Sequence, residues 1–177
     1  MSELMKANVE GATYFVSFAV VGWIDVFIRP EYVDILFDSL EFCRRNKGLE
    51  IFEYALMPSH VHLLARRKQG LLSDVLRDMK SFTARRVLEA IEANLRESRK
   101  EWMLAFFRAQ ARLSAQNSDQ MFWQKTNHPE LVYSAAFYEQ KAVYIRNNPV
   151  AMGLVTEAEH YALSSAHPQP RLRTDEA

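Results

Sequence analysis

Three segments of the chain combine aromatic and β-branched residues in patterns typical of β-strands. They cover residues 13–20, 49–56 and 60–65, and shorter strands are predicted over 25–28 and 121–124. Pro58 and Ser59 separate the second segment from the third and predict a turn between them. The sequence therefore predicts a β-hairpin in which residues 60–65 form the returning strand.

Apolar residues recur at helical spacing in four other segments. The predicted helices run from Pro30 to Gly48, from Ser73 to about residue 91, over 96–115, and from Ser134 to Pro149. A proline suits a first helical turn and a glycine suits a C-cap, whereas the residue before a proline avoids the helical conformation. The polar residues 116–120 predict a loop.

Helices and strands alternate along the chain, and the hairpin requires antiparallel pairing. This order predicts an α+β fold, an antiparallel sheet flanked by helices. Residues 1–167 are predicted to form a single domain, and the polar residues 168–177 a disordered C-terminal tail.

Composition adds little to this picture. The chain has 22 basic and 22 acidic residues, so its net charge does not indicate an anionic partner. Cys43 is the single cysteine, which excludes an intrachain disulfide and is typical of a reducing compartment. No secretory signal and no membrane-spanning run of about 18 apolar residues is present. We therefore expect a soluble cytoplasmic protein with no membrane partner.

The predicted returning strand carries two of the five histidines, in the sequence MPSHVHLL. Because side chains alternate along a strand, His60 and His62 point to the same face, about 7 Å apart. Two imidazoles so placed could hold one divalent ion if another segment supplied a third ligand. The alternative is that both are polar residues on a solvent-facing side of the strand, and the pair alone does not decide between them.

A second polar pattern lies on the last predicted helix. Gln140, Tyr144 and Asn148 are four residues apart, so they occupy one helical face. The tyrosine could be a nucleophile beside a metal ligand. It could equally be a tyrosine at a helix edge whose hydroxyl contacts water.

Together these motifs resemble a known family. MPSHVHLL is similar to the His-hydrophobic-His element of the single-tyrosine HUH transposases, and YIRNNPVAMGLV resembles the tyrosine helix of the REP-associated tyrosine transposases. LSDVLRDMKSFTARRVLEAIEAN, FWQKTNHPEL and the segment EHYALSSA also resemble that group. The similarity runs in order from about residue 13 to residue 167.

The resemblance implies a ferredoxin-like or RRM-like HUH fold with the histidines on a central strand. It implies that Tyr144 attacks a phosphodiester of single-stranded DNA at hairpin-forming repeat sequences, leaving a 5′-phosphotyrosine and a free 3′-hydroxyl. It also implies a divalent metal ion, Mg²⁺ or Mn²⁺, held by His60, His62 and, by position, Asn148. The protein would act as a monomer or a homodimer. Ser59 stands where relatives often have asparagine, and we expect it not to take part in the chemistry directly.

Basic residues follow the histidine strand closely. Between residues 66 and 86 there are seven of them against two acidic residues. We predict that five contact the DNA backbone: Arg66, Arg67, Lys80, Arg85 and Arg86. A solvated helix face would give the same pattern.

Three functions remain open on the sequence alone. The chemistry of the motifs favours an active transposase that cuts and rejoins DNA. A DNA-binding protein that keeps the fold without turnover is the alternative. A metal-dependent hydrolase unrelated to DNA would need an acid or base beside the histidines, and neither motif contains one.

Overall fold

Four antiparallel strands form the sheet of this protein in the computed structural model, which describes residues 7–114 and 119–176. The strands and α-helices are β1 (Tyr14–Ala19), α1 (Pro30–Lys47), β2 (Leu49–Leu56), β3 (His60–Arg67), α2 (Leu72–Ala93), α3 (Lys100–Leu113), β4 (Glu130–Leu131) and α4 (Ala135–Ala151). Short 3-10 helices cover Val21–Trp23 and Ala158–His160. The predicted α+β class is confirmed.

The order of the strands is β2-β3-β1-β4, so β3 has a neighbour on both sides. The predicted hairpin is the β2–β3 pair, and β1 is antiparallel to β3 on its other side. In this register His62 lies opposite Ser17 of β1 and Ala55 of β2. The histidine strand is therefore central, as the resemblance implied.

The two faces of the sheet pack on different helices. Val61, Leu63 and Ala65 face the larger apolar core, to which α1 and α2 contribute. Leu64, on the other side of β3, belongs to a smaller apolar cluster with Ala142 and Ile145 of α4. Because strand residues alternate, the histidines share the face of Leu64 and lie under α4.

Some helices begin and end at the capping residues that the sequence predicts, and others do not. Pro30 begins α1, and Gly48 ends it in the left-handed conformation, with φ 67° and its N–H donating to the Cys43 carbonyl. The predicted cap at Ser73 is wrong by two residues, because Leu71 precedes the first helical residue and makes no side-chain cap. The third helix is shorter than predicted, and residues 115–118, which include most of the predicted loop, lie outside the described residues.

Pro149 was predicted to end the last helix, but it lies inside α4. The missing proline N–H removes one hydrogen bond of the final turn only. The helix continues for two more residues, and the Pro149 carbonyl then accepts a hydrogen bond from the N–H of Leu154. A proline in the last turn therefore does not end the helix at its own position.

Two predicted short strands are absent from the described structure. Residues 25–26 have no regular secondary structure and residues 27–28 form a turn. Residues 121–124 make only one bridge, between Val20 and Trp123. The fourth strand is β4, whose two residues are too few to show an alternating pattern. This strand forms because it pairs with β1, and not because its own residues have a strong preference for the β conformation.

The predicted disordered tail over 168–177 is wrong for the described residues 168–176. Leu172 is buried, and its N–H donates to the Tyr54 hydroxyl. The Asp175 carboxylate accepts hydrogen bonds from the Ile51 N–H and from Arg44. The segment therefore covers part of the exposed edge of β2, which is a common way to protect an edge strand.

No helix within the described residues has the length and the apolar character needed to cross a lipid bilayer.

A buried carboxylate joins α1 to the segment between α2 and α3. The Glu97 side chain has no exposed surface, and its oxygens lie 2.9 Å from Arg99 Nε and 3.4 Å from Arg29 Nε. Hydrogen bonds from Arg99, more than any other interaction, lower the pKa of Glu97 to about 2. Since the folded-state pKa lies below the ordinary value, this stabilisation is present at neutral pH and is lost as the pH falls toward 2.

We expect Glu97→Gln to lower the free energy of unfolding at neutral pH by on the order of 3 kcal/mol. The difference from the wild type should shrink as the pH is lowered from about 5 toward 2. Urea unfolding at several pH values measures it, with Glu101→Gln on the exposed side of α3 as the control. A difference that does not change with pH would contradict the assignment.

Candidate active site

The two histidines of β3 lie side by side beneath α4. Their ring centroids are 4.8 Å apart and their planes are nearly perpendicular. Exposure is 7% for His60 and 4% for His62, so the alternative of a solvent-facing pair is wrong. The predicted common face is confirmed.

His62 lies between two aromatic rings. The Phe15 ring of β1 stacks on it at 5.7 Å, and the Tyr144 ring of α4 meets it edge-on at 5.3 Å. Burial, helped by the charges of His60 and Lys141, lowers the pKa of His62 to about 3. The imidazole is therefore neutral at physiological pH, which is the form that binds metal ions.

Neither ring nitrogen of His62 has a hydrogen-bond partner among the described residues. Buried polar atoms are normally paired, because an unpaired one costs about 1–3 kcal/mol. The His62 imidazole is thus neutral, buried and without a hydrogen-bond partner among the described residues. A metal ligand has these properties, because a bound ion would be the partner of its nitrogen.

His60 has a polar and an aromatic neighbour. The Ser59 hydroxyl oxygen lies 3.3 Å from His60 Nδ1, and the Trp23 ring meets the imidazole edge-on at 5.3 Å. Burial lowers the pKa of His60, and the Asn148 side chain and the Asp25 charge oppose this effect. Ser59 was expected not to take part in the chemistry directly, and this contact is consistent with an indirect role, since its hydroxyl can fix the orientation of the His60 ring.

Tyr144 is the tyrosine of α4 that faces the histidines. Its ring also contacts Phe15, at 5.7 Å, and 48% of the residue is exposed. Tyr138 occupies another side of the helix and packs against Phe52. A tyrosine that contacts a buried histidine and still reaches solvent can meet a substrate that approaches from outside.

The residues predicted on the same helical face as Tyr144, one turn before it and one turn after it, differ in their exposure to solvent. Gln140 is exposed, whereas Asn148 is buried at 9% exposure. Asn148 Oδ1 makes no hydrogen bond of normal geometry within the residues that the structure describes, but its side chain lies close enough to His60 to favour the protonated imidazole and so to oppose the fall in the pKa of His60. Asn148 is therefore brought to the histidines, and Gln140 is not.

These side chains fit a divalent cation. An unpaired buried amide oxygen and an unpaired buried imidazole lie beside a second imidazole, and no carboxylate of the two motifs neutralises them. Nitrogen and oxygen ligands of this kind suit Mn²⁺ and Zn²⁺ as well as Mg²⁺.

A second group with metal-ligand chemistry lies on the surface. The ligand atoms of Glu157, Glu159 and His160 are within 4.8 Å of one another, and all three residues are exposed. Water satisfies such groups without an ion, so their geometry gives them no specific role.

Four neighbours of the site were not anticipated from the sequence: Phe15, Trp23, Ser59 and Lys141. Phe15 could have been found from the strand alternation of β1, and Lys141 from its position three residues before Tyr144. Lys141 Nζ lies 4.4 Å from the Phe15 ring centroid and pairs with Glu130 at 2.7 Å. Trp23 follows a turn whose position depends on distant residues, so no local signal marks it.

The five predicted DNA contacts do not form one surface. Arg66 and Arg67 point to opposite faces of the sheet; Arg66 pairs with Glu50, and Arg67 donates to the Lys47 carbonyl. Arg86 pairs with Glu89, while Arg85 lies over the Phe82 ring. Of the five, Arg66 shares the face of the histidines.

Lys80 connects α2 to the segment that follows residue 123. Its ammonium group donates to the Gln124 carbonyl at 2.8 Å and to Asn127 Oδ1 at 2.6 Å, and burial lowers its pKa to about 8. Lys80 and Arg85 border a cavity of about 720 Å³ between α2 and residues 119–127, on the opposite side of the sheet from α4. Lys80 thus holds that segment to α2.

Comparisons with known proteins agree with this architecture. A family model described as IS200-like transposase matches residues 26–121, just over half of the chain, and includes both histidines but not α4. The chain is similar to a structure described as a REP-associated tyrosine transposase bound to a REP hairpin. That match has a TM-score of 0.66 and 17% identity, covering 94% of this chain and 84% of the other.

A second structure is described as a transposase from Deinococcus radiodurans R1. It matches with a TM-score of 0.47 and 23% identity over 83% of this chain and 97% of the other. No curated protein sequence matches the chain.

Proposed function

Because this chain belongs to the IS200-like transposase family, we propose that it cuts and rejoins single-stranded DNA through a covalent bond between Tyr144 and a 5′ phosphate. One observation carries the proposal. The exposed Tyr144 ring lies 5.3 Å from the ring of His62, a buried imidazole with both nitrogens unpaired. A nucleophile and a metal ligand are thus adjacent at the protein surface.

The proposed cleavage is a transfer of one phosphoryl group. The Tyr144 oxygen forms a bond to phosphorus and gives up its proton, while the bond from phosphorus to the 3′-oxygen breaks. The departing 3′-oxygen takes up a proton and becomes a free hydroxyl. Attack by a 3′-hydroxyl on the phosphotyrosine reverses these steps and joins two strands, so the same tyrosine serves both reactions.

His60, His62 and Asn148 would hold the divalent ion, Mg²⁺ or Mn²⁺. When bound, such an ion polarises the phosphoryl group and stabilises the departing oxygen. The protein prepares this position by keeping the imidazoles neutral through burial. If His60 Nδ1 carries the proton, its N–H donates a hydrogen bond to Ser59 Oγ, and the lone pair of Nε2 is left for the metal.

Packing restricts where the reacting groups can move. Phe15 contacts both His62 and Tyr144, so one ring of β1 supports the ligand and the nucleophile together. Preorganisation of this kind lowers the barrier by holding the reacting atoms close to their transition-state positions.

The substrate would follow the face of the sheet that carries the histidines. Lys141 and Arg66 place positive charge on this face, and we propose that both contact phosphates. Arg67, Arg85 and Arg86 could contact a DNA hairpin only on other sides of the domain. The REP hairpin in the similar structure supports a hairpin-forming substrate.

A denaturing gel tests the proposed function. The wild-type protein is incubated with labelled single-stranded oligonucleotides of random sequence and Mn²⁺, and we expect a band of protein joined to DNA that survives denaturation. EDTA and fully double-stranded DNA should each prevent it. Binding of single strands without any covalent product at saturating Mn²⁺ would support the non-catalytic alternative instead.

We expect Asn148→Ala to weaken Mn²⁺ binding roughly tenfold, which is less than the loss of a histidine ligand causes. The melting temperature without metal should not fall, because the change removes an unpaired buried oxygen. Asn148→Asp, which keeps an oxygen in place, should retain Mn²⁺ binding in calorimetry. A lower melting temperature with normal Mn²⁺ affinity would instead assign Asn148 a structural role at the end of α4.

A further inference from the structure

Trp23 is an exposed aromatic residue at the edge of the candidate active site. More than half of it, 57%, is accessible to solvent, and its ring forms a T-shaped pair with His60 in which the ring centroids are 5.3 Å apart. Trp123 shows the contrasting arrangement, since it is 6% exposed and its indole N–H donates to Thr83. Core packing therefore accounts for the position of Trp123 but not for the exposed surface of Trp23.

The backbone holds Trp23 in an unfavourable conformation. Its φ is 54°, in the left-handed region where the backbone of a bulky residue is strained. Glycine would adopt this conformation freely. The strained backbone of Trp23 therefore lowers the stability of the folded protein, while the side chain stays exposed.

The turn around Trp23 is also firmly attached to the rest of the domain. The Val21 N–H donates to the Phe122 carbonyl at 2.8 Å, and the Trp23 N–H donates to the Val20 carbonyl at 3.0 Å. Gly22 lies so close to α3 that an added Cβ would be 2.5 Å from the Phe106 ring. Trp23 therefore has a fixed position relative to His60.

We propose that Trp23 is a stacking platform for one nucleobase of the bound single strand, beside the phosphate that Tyr144 attacks. This inference rests on the proposed function. Single-stranded DNA exposes its bases, and every base has a flat face that stacks on an aromatic ring whatever the sequence. A fixed ring beside a metal ligand would set the position of the phosphate as well as add affinity.

The test measures binding in EDTA, where cleavage does not occur and metal affinity plays no part. The probe is a fluorescein-labelled pool of random-sequence single strands, followed by anisotropy. Because leucine offers no aromatic face on which a base can stack, Trp23→Leu should weaken binding roughly tenfold. The dependence of affinity on salt should be unchanged, because no phosphate contact is lost. Trp23→Phe should recover most of the affinity.

Two further variants separate stacking from folding. Phe42, 55% exposed on α1 and on the opposite face of the sheet from α4, gives the matched control, and Phe42→Ala should bind DNA like the wild type. Trp23→Gly should bind as weakly as Trp23→Leu but melt no lower than the wild type, because glycine relieves the strain.

The outcomes distinguish this inference from the proposed function. If the wild type forms the covalent product and Trp23→Leu binds the pool equally well, the stacking role is wrong and the proposed function stands. If Trp23→Leu weakens binding with a smaller salt dependence, charge and not stacking is involved, which also contradicts the inference. If the wild type neither binds single strands nor forms the product, both fall.

Discussion

Tyr144→Phe is expected to abolish the covalent protein–DNA product and to leave folding and DNA binding nearly intact. The substitution removes only the phenolic oxygen. The ring contacts with His62 and Phe15 remain, and the side chain is already half exposed, so little stability depends on the hydroxyl. The measurement is the denaturing gel, with melting temperature and binding to single strands determined on the same samples.

Tyr138→Phe provides the matched control for this experiment. Tyr138 lies on the same helix, but its ring packs against Phe52, and burial raises its pKa, which disfavours the anionic form. The control should therefore form the product at the wild-type level. If Tyr144→Phe gives an unchanged yield, the assignment of the nucleophile is wrong, and loss of product in Tyr138→Phe would identify Tyr138 in its place.

His62→Ala should lose Mn²⁺ binding and DNA cleavage together. Removal of an outer partner of a metal site costs roughly 10–100-fold in affinity or activity, and removal of an imidazole ligand should cost more. His60→Ala is expected to act in the same direction. Effects on the stability of the metal-free protein should be modest, since the His62 nitrogens make no hydrogen bond within the described part of the chain.

His160→Ala is the control histidine, because it belongs to the exposed group with Glu157 and Glu159. Calorimetry with Mn²⁺ on the two variants decides where the ion binds. We expect binding to persist in His160→Ala and to disappear in His62→Ala. The reverse result would place the ion at the surface group and remove the metal from the proposed chemistry.

The central part of the site could be predicted because it depends on local periodicity. Alternation along β3 places His60 and His62 on one face, and helical spacing places Asn148 one turn from Tyr144. Neither pattern could show that α4 packs on the histidine face of the sheet. That contact depends on apolar residues distant in sequence, such as Leu64 and Ile145.

Long-range contacts explain what the sequence did not reveal. Lys80 belongs to a run of basic residues, but its amine is held by carbonyls from residues 124 and 126, which local charge counting cannot show. Polar composition likewise suggested disorder at the C-terminus, whereas Asp175 is held by partners on α1 and β2. Trp23 gains its position beside His60 from a turn attached to α3 and residue 122.

Mass spectrometry of the covalent product tests the central claim most directly. The wild-type protein is reacted with single-stranded DNA and Mn²⁺, digested with nuclease and protease, and the modified peptide is sequenced. We expect a nucleotide joined through its 5′ phosphate to the phenolic oxygen of Tyr144. A nucleotide on any other residue, or no modified peptide under conditions where the DNA is cleaved, would contradict it.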